Sequence, residues 1–459
     1  MMVTPSEAEF LQAMRVIGDP GADGAISLWV NDPQRCKDKK SLTSLANNLV
    51  GFDKAPELSE LLELLRKSEG SSNDAVEDDT LALDLHEEAL AEDLFTDHGL
   101  KILMILVFYS LPAAYAAVRG VPVLHSDSGG TGFLVSDVNR RLIETTQFVL
   151  EVLTAIKPTR TTRPPRPGVP PHERAVISAR RVRLLHAVVR AMILAHVQRP
   201  WDTKGLGTPV NQEDMAGTFL TFSWVVIDGM RKLNLRVSPE KEQVFYDIWR
   251  QIAPSLGLDA QLVPKTVDEA ERLTKLIRER QVDGPIRDGE VNPFGTKMAD
   301  ALLGFLSQAL PWPLRGSRRL PASVIRFFLP TSPTDVATSI GIPRTPGLDE
   351  IVRLWFFIEA SITRYKIFDA ANRLVFKEWG RKDDRARALL QFSRFFMRRF
   401  VLFVEKRDRT ATLAVKERHK NIDCLGWDER WQFDQASFVT RGVRLAANKI
   451  RPQPTSRRP

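Results

Sequence analysis

The chain has 459 residues, 43% of them apolar and 27% charged, which is the composition of a globular protein with a generous core and excludes a fibrous or wholly disordered chain. Its formal charge of +8 invites a nucleic-acid reading, but no RNP, zinc-finger or helix-turn-helix pattern accompanies the basic residues, so solvated basic faces are the better account. Two cysteines, Cys36 and Cys424, exclude a disulfide framework or a four-cysteine metal site and fit a reducing compartment.

Helical periodicity runs through most of the chain, and alternating strand patterns are scarce. The spacing predicts helices over Ser6–Ile17, Glu57–Ser68, Leu81–Ala117, Asp137–Ala155 and Glu173–His196. Further ones are predicted over Gln212–Leu233, Pro239–Ser255, Val267–Arg280, Pro293–Ala309, Ser323–Phe328, Asp349–Trp379 (broken) and Asp384–Lys406. Two starts carry clear caps. Asn211 precedes Gln212-Glu213-Asp214, and Ser238-Pro239-Glu240 puts a hydroxyl cap before a proline and acids in the first turn.

Between these elements, Ser68–Asp79 is acidic and polar, Lys157–Pro171 is proline-rich and basic, and Arg451–Pro459 resembles the latter; all three read as disordered. The resulting division is residues 1–67 as an N-terminal helical segment, 68–80 as an acidic linker, 81–260 as the core, 261–450 as the C-terminal helical part of the same domain and 451–459 as a tail. The apolar run Ile102–Val118 holds 17 residues with Pro112 inside it, too short and interrupted for a membrane span, so a buried core helix is expected. The first ten residues are polar and acidic and show no secretory signal, which points to the cytoplasm.

Chemistry concentrates in Arg181-Val-Arg-Leu-Leu-His186-Ala-Val-Val-Arg190. His186 shares a helical stripe with Val182, Val189 and Ile193, and Arg183 and Arg190 lie one turn to either side. An imidazole on an apolar wall with guanidinium groups nearby has the elements of a haem proximal site, the nitrogen for iron and the arginines for propionates. A satisfied core histidine has the same pattern, and the residues alone leave the two open. His196 lies about 15 Å further along the same helix and cannot share one iron with His186. Arg141, Thr145, Phe148 and Val152 form another mixed stripe, which suits either a pocket wall or an ordinary amphipathic helix. There is no GxSxG, P-loop, HExxH or CxxC; the turn Ser128-Gly-Gly-Thr-Gly132 follows no strand and lacks a phosphate-loop lysine, so it reads as a flexible connection.

Six ordered blocks between Met14 and Leu258 resemble the MpaB/rubber-oxygenase catalytic domain family, which includes latex clearing proteins. They are Gly18-Asp-Pro-Gly-Ala-Asp23; Phe95-Thr-Asp-His98-Gly99-Leu100 with Ser110-Leu-Pro112-Ala-Ala-Tyr115; Gly120-Val-Pro-Val-Leu124; Arg141 to Phe148; Arg181 to Ala187; and Pro209 to Asp214 with Thr221-Phe-Ser223 and Asp228-Gly229. No block of the family is visible beyond Leu258. The resemblance implies an all-α fold, a single large helical domain with a partly globin-like core, holding haem b. It implies an oxygenase that uses dioxygen on a hydrophobic small molecule, isoprenoid or lipid-like. It implies His186 as the iron ligand, Arg183 and Arg190 beside the cofactor, and Arg141 and Thr145 as distal donors to dioxygen; His98 is a second residue near the haem or a joint between helices. Latex clearing proteins carry a lysine where this chain has Glu144, and their upstream glutamate has no counterpart near His125–Asp127. Rubber is therefore a poor substrate for this chain, and the alternative is a haem or lipophile carrier or sensor without turnover. No nucleic-acid partner and no membrane span are expected.

Overall fold

A computed structural model describes residues 5–31, 56–68, 85–125, 145, 148–149, 152, 171–196, 200–310 and 314–364. In chain order the helices are α1 (Pro5–Met14), α2 (Pro20–Val30), α3 (Pro56–Ser68), α4 (Leu85–Ile105), α5 (Leu111–Tyr115), α6 (Pro171–Leu194), α7 (Thr203–Leu206), α8 (Gln212–Phe222) and α9 (Trp224–Lys232). They continue as α10 (Pro239–Ile252), α11 (Val267–Arg278), α12 (Gly284–Arg287), α13 (Pro293–Ala309), α14 (Arg319–Phe328), α15 (Val336–Ser339) and α16 (Pro346–Arg364). Two π-helical segments, Leu106–Ser110 and Glu279–Asp283, join α4 to α5 and α11 to α12. No strand occurs among the described residues, so the fold is all-α as the periodicity predicts.

The chain divides into two compact units. One comprises Met1–Leu303 with Arg319–Ala360, and the other Gly304–Arg318 with Ser361–Pro459. The first holds every described residue discussed below as a candidate for chemistry. The expected linker over Ser68–Asp79, the proline-rich run over Lys157–Pro171, the glycine-rich turn over Ser128–Gly132, the tail and the expected helix over Asp384–Lys406 lie outside the described residues, apart from Ser68 and Pro171 at helix ends.

Three expected helices are interrupted. Leu81–Ala117 is broken by the π-helical turn at Leu106–Ser110, and Val267–Arg280 passes into a second π turn at Glu279. Gln212–Leu233 is two helices, because Ser223 leaves the helical region at φ −102°, ψ −84°. An i→i+5 turn and a single displaced residue leave no mark in a 3.6-residue pattern, so periodicity alone joins such segments. Helix α2 was not expected, since two glycines and a proline lower its propensity. Its start is nevertheless encoded: Asp19 accepts a hydrogen bond from the Ala22 amide, and Pro20 occupies the first helical position. The caps at Asn211 and Ser238 form as expected, accepting from the Asp214 and Lys241 amides.

Helix α6 is sandwiched by apolar contacts on two faces. On one, Leu184, Ala187, Val188 and Met192 pack with Ala22, Ile26 and Trp29 of α2 and Leu61, Leu64 and Leu65 of α3. On the other, Val189 and Ile193 pack with Val123, and Leu185, Trp201 and Val210 close over them. A second centre is built on α10, whose Phe245, Tyr246 and Trp249 are fully buried. Trp249 stacks on Phe222 at 5.3 Å between ring centroids and meets the edge of Phe148 at 6.1 Å. Each such side chain contributes about 1.5–3 kcal/mol by leaving water. Ile102, Ile105, Leu106, Phe108 and Tyr109 are buried, so the apolar run that starts at Ile102 is core. Among the described residues no helix is long and apolar enough to cross a membrane.

Candidate functional site

His186 lies midway along α6, on the edge between its two packed faces and nearer the one formed by Val189 and Ile193. The residue is partly buried, while its Nδ1 is enclosed and has no hydrogen-bond partner. Burial, aided by the positive charge of Arg190 and opposed by Asp19, lowers the ring pKa to about 4, so the imidazole is neutral at physiological pH. A buried polar atom left unpaired costs about 1–3 kcal/mol, and such a group calls for an explanation. A neutral imidazole beside apolar side chains meets the chemical requirement of a haem ligand, and with Nδ1 enclosed by protein it is Nε2 that would be offered to the iron. Among the described residues no three His, Cys, Asp or Glu side chains converge as a metal cage.

The depressed pKa has a consequence for stability. The unfolded ring takes up a proton near pH 6.5 and the folded ring resists it until about pH 4. The contribution is therefore present above pH 6.5 and lost as pH falls toward 4, amounting to about 3 kcal/mol. Urea midpoints measured at pH 7 and pH 4.5 should fall more steeply in the wild type than in His186→Phe; parallel slopes would contradict the buried, neutral ring.

The two arginines flanking His186 are engaged by protein groups. Arg183 donates from Nε and Nη2 to both carboxylate oxygens of Asp19 at 2.6 and 2.9 Å. Arg190 donates from Nη1 to Asp23, from Nε to the Pro209 carbonyl at 2.9 Å and from Nη2 to the Val210 carbonyl at 2.8 Å. Contact with propionates was the sequence expectation for this pair. The structure supplies carboxylates of α2 and its cap, more than 160 residues away in sequence, which residue type on one helix could not reveal.

Of the other expected residues, Thr145 is helical and partly buried, and Phe148, Val149 and Val152 beyond it are buried. Arg141 and Glu144 lie outside the described residues. His98 sits within α4, not at a joint between helices. His196 follows the end of α6, where its amide bonds to the Ile193 carbonyl.

Sequence blocks that stand far apart meet in space. Ser110 donates to the Thr221 carbonyl at 2.6 Å, and Tyr109 beside it donates to Asp228 at 2.6 Å. Lys232 completes this group, donating to the Tyr109 hydroxyl at 2.8 Å and to the Phe328 carbonyl at 2.7 Å. Gln212 donates to the carbonyls of Gly18 and Gly257. Sequence reasoning passed over Tyr109 and Lys232, although Tyr109 directly precedes the Ser110 block and Lys232 follows Asp228 by one helical turn.

A family model described as "ER-bound oxygenase mpaB/B'/Rubber oxygenase, catalytic domain" matches residues 98–361. The chain belongs to this family. The match begins at His98, so the Gly18–Asp23 block stands outside it, and it runs past Leu258, where no block was visible in the sequence, to Ser361. Within the family, the chain is 25% identical over 185 residues to the rubber oxygenase of Streptomyces sp. (strain K30). That alignment takes in 40% of this chain and 42% of the relative, less than half of either. The fold is similar to that of latex clearing protein LCP in the closed state, with a TM-score of 0.55 at 18% identity over 77% of this chain and 85% of the other. The family match extends over Val182–Ile193 and so includes His186 and the wall around it.

Proposed function

We propose that the chain is a haem b-dependent oxygenase that uses dioxygen on a hydrophobic small molecule of isoprenoid or lipid-like kind, with His186 as its iron ligand. The observation that carries this reading is the neutral imidazole of His186, with Nδ1 enclosed and unpaired on a helix that the family model covers. Bound there, haem would supply the redox chemistry of oxygen activation, and the chain would supply binding, orientation and polarity. Arg141 and Thr145 are assigned the role of hydrogen-bond donors to dioxygen, since donors aimed at developing negative charge stabilise it. Val182, partly exposed one turn from His186, continues the apolar stripe beside the ring, while Val189 and Ile193 anchor that stripe against Val123, Trp201 and Val210. Arg183 and Arg190, with their donors directed at Asp19, Asp23 and backbone carbonyls, act on the ligand helix; contact with propionates is not required of them.

The test is spectroscopic and chemical. The purified protein should show a Soret band, and incubation under air with short polyprenyl alkenes should consume dioxygen and yield carbonyl products. A Soret band without products would favour a haem carrier or sensor, a reading that Glu144 in place of the distal lysine motivates. No haem uptake at all would end both.

A further inference from the structure

Asp19 and Asp23 lie one helical turn apart, at the cap and in the first turn of α2. They meet Arg183 and Arg190, which stand at positions −3 and +4 from His186 on α6. The two ion pairs form rungs above and below the imidazole. Both are tied in from several directions. Asp19 also accepts from the Ala22 amide, and the Asp19 amide donates to Asp23 at 3.2 Å. Asp19, Arg183 and Arg190 are buried, so their charges interact through a medium far less screening than water.

The surrounding backbone is shaped to admit these pairs. Gly257 has φ +78°, and a Cβ there would stand 2.1 Å from Asp19 Oδ2 and 2.5 Å from Arg183 Nε. At Gly18 a Cβ would stand 2.8 Å from Arg190 Nε. Arg190 further holds the carbonyl of Val210, a β-branched residue at φ +53°, in a conformation such residues rarely adopt without outside support. Gln212 then binds Gly18 and Gly257 together through their carbonyls at 2.7 and 3.0 Å and takes the Asp259 amide at 2.8 Å. Three segments, 18–23, 209–212 and 257–259, therefore converge on the edge of α6 that carries His186.

We propose that Asp19 and Asp23 are positioning residues: through Arg183 and Arg190 they fix the rotation of α6 about its axis and so aim the His186 ring at its ligand. The inference rests on His186 being the ligand, as proposed above. A helix packed on two faces by aliphatic side chains alone can roll by small amounts, because such contacts have little direction. Two anchors about two turns apart on α6 remove that freedom: the bidentate Arg183–Asp19 pair tolerates little rotation, and Arg190 is held at once by Asp23 and by the Pro209 and Val210 carbonyls. Outer partners of this kind commonly alter metal affinity by 10–100-fold.

The test uses the full-length chain with 15N in the histidine rings, recorded in the diamagnetic ferrous carbonyl form where haem is bound. The His186 resonances are identified by their loss in His186→Ala. Asp19→Asn and Asp23→Asn should shift or split them, Asp23→Glu should restore much of the wild-type spectrum, and the two Asn variants should bind added haem about tenfold more weakly. Asp335→Asn, which removes the carboxylate paired with Arg326 and Arg344, is a control for general destabilisation and should leave the His186 signals in place. Unchanged His186 signals in both Asn variants, with only a lower melting temperature, would overturn the proposal. Equal haem uptake by His186→Ala and wild type would instead reject the ligand assignment, while the ring signals would still judge the clamp.

Discussion

His186→Ala is expected to abolish haem retention, with the Soret band absent or collapsed, whereas His196→Ala should keep it. His186 stands in the middle of α6 and His196 beyond its C-terminal end, so the two do not share a helix face from which to serve one iron. His186 has the enclosed, unpaired nitrogen and the pKa lowered to about 4, both properties of a ring kept neutral. A neutral ring can donate its lone pair without first losing a proton, which a surface histidine does less readily at acid pH. Removing the imbedded imbalance of polarity should leave the apolar packing of α6 intact, since Leu184, Ala187, Val188 and Met192 face α2 and α3 independently of it. Circular dichroism of His186→Ala should therefore match the wild type while haem absorbance is lost. Retention of the wild-type Soret band in this variant would dismiss His186 as the ligand.

The largest loss of stability is expected for Arg15→Ala. Arg15 is 1% exposed and follows α1 directly, donating to Glu213 at 3.3 Å, to Asp214 at 3.0 Å and to the Leu206 carbonyl. Glu213 is wholly buried and takes a second cation, Arg280, at 2.8 Å. Burial raises the Asp214 pKa to about 6 even with Arg15 beside it, and truncating Arg15 would raise it further. The variant leaves Glu213 with Arg280 alone and Asp214 with no cation, only the Asn211 amide, in a space emptied of a long side chain. Removing one partner of a buried ionic group costs about 3–5 kcal/mol. Denaturant unfolding at pH 7 should show a drop of that order; a loss below about 1 kcal/mol would mean that water reaches the cluster. Arg280→Ala, whose guanidinium is more exposed, should cost less.

Much of the helical plan can be read from the chain because amphipathic stripes and caps are local. Ser238-Pro239 and Asn211 announce the starts of α10 and α8, and the apolar positions of α6 sit where a helix must bury them. His186 is visible for the same reason, as an imidazole in an apolar stripe with arginines a turn to either side. What cannot be read is what comes from elsewhere. Asp19 and Asp23 precede Arg183 by more than 150 residues, and nothing local distinguishes an arginine that meets them from one that meets a ligand. Interruptions are equally hidden: Leu106–Ser110 and Ser223 carry no glycine or proline that would mark a break. The cluster of Tyr109, Asp228 and Lys232 escapes notice too, because its members come from two helical segments that only packing brings together.

The π turn at Leu106–Ser110 holds one more residue per hydrogen-bonded ring than an α-helix does. Each residue of a helix advances the side-chain direction by about 100°, so that surplus turns everything after it relative to everything before. Tyr109 reaches Asp228, and the Tyr115 carbonyl reaches Asn292, under this shifted phase. Excising a single residue from the five would straighten the ladder and swing α5 round by roughly a quarter of a circle. At this point in the chain, a change of length would be more disruptive than most changes of side chain.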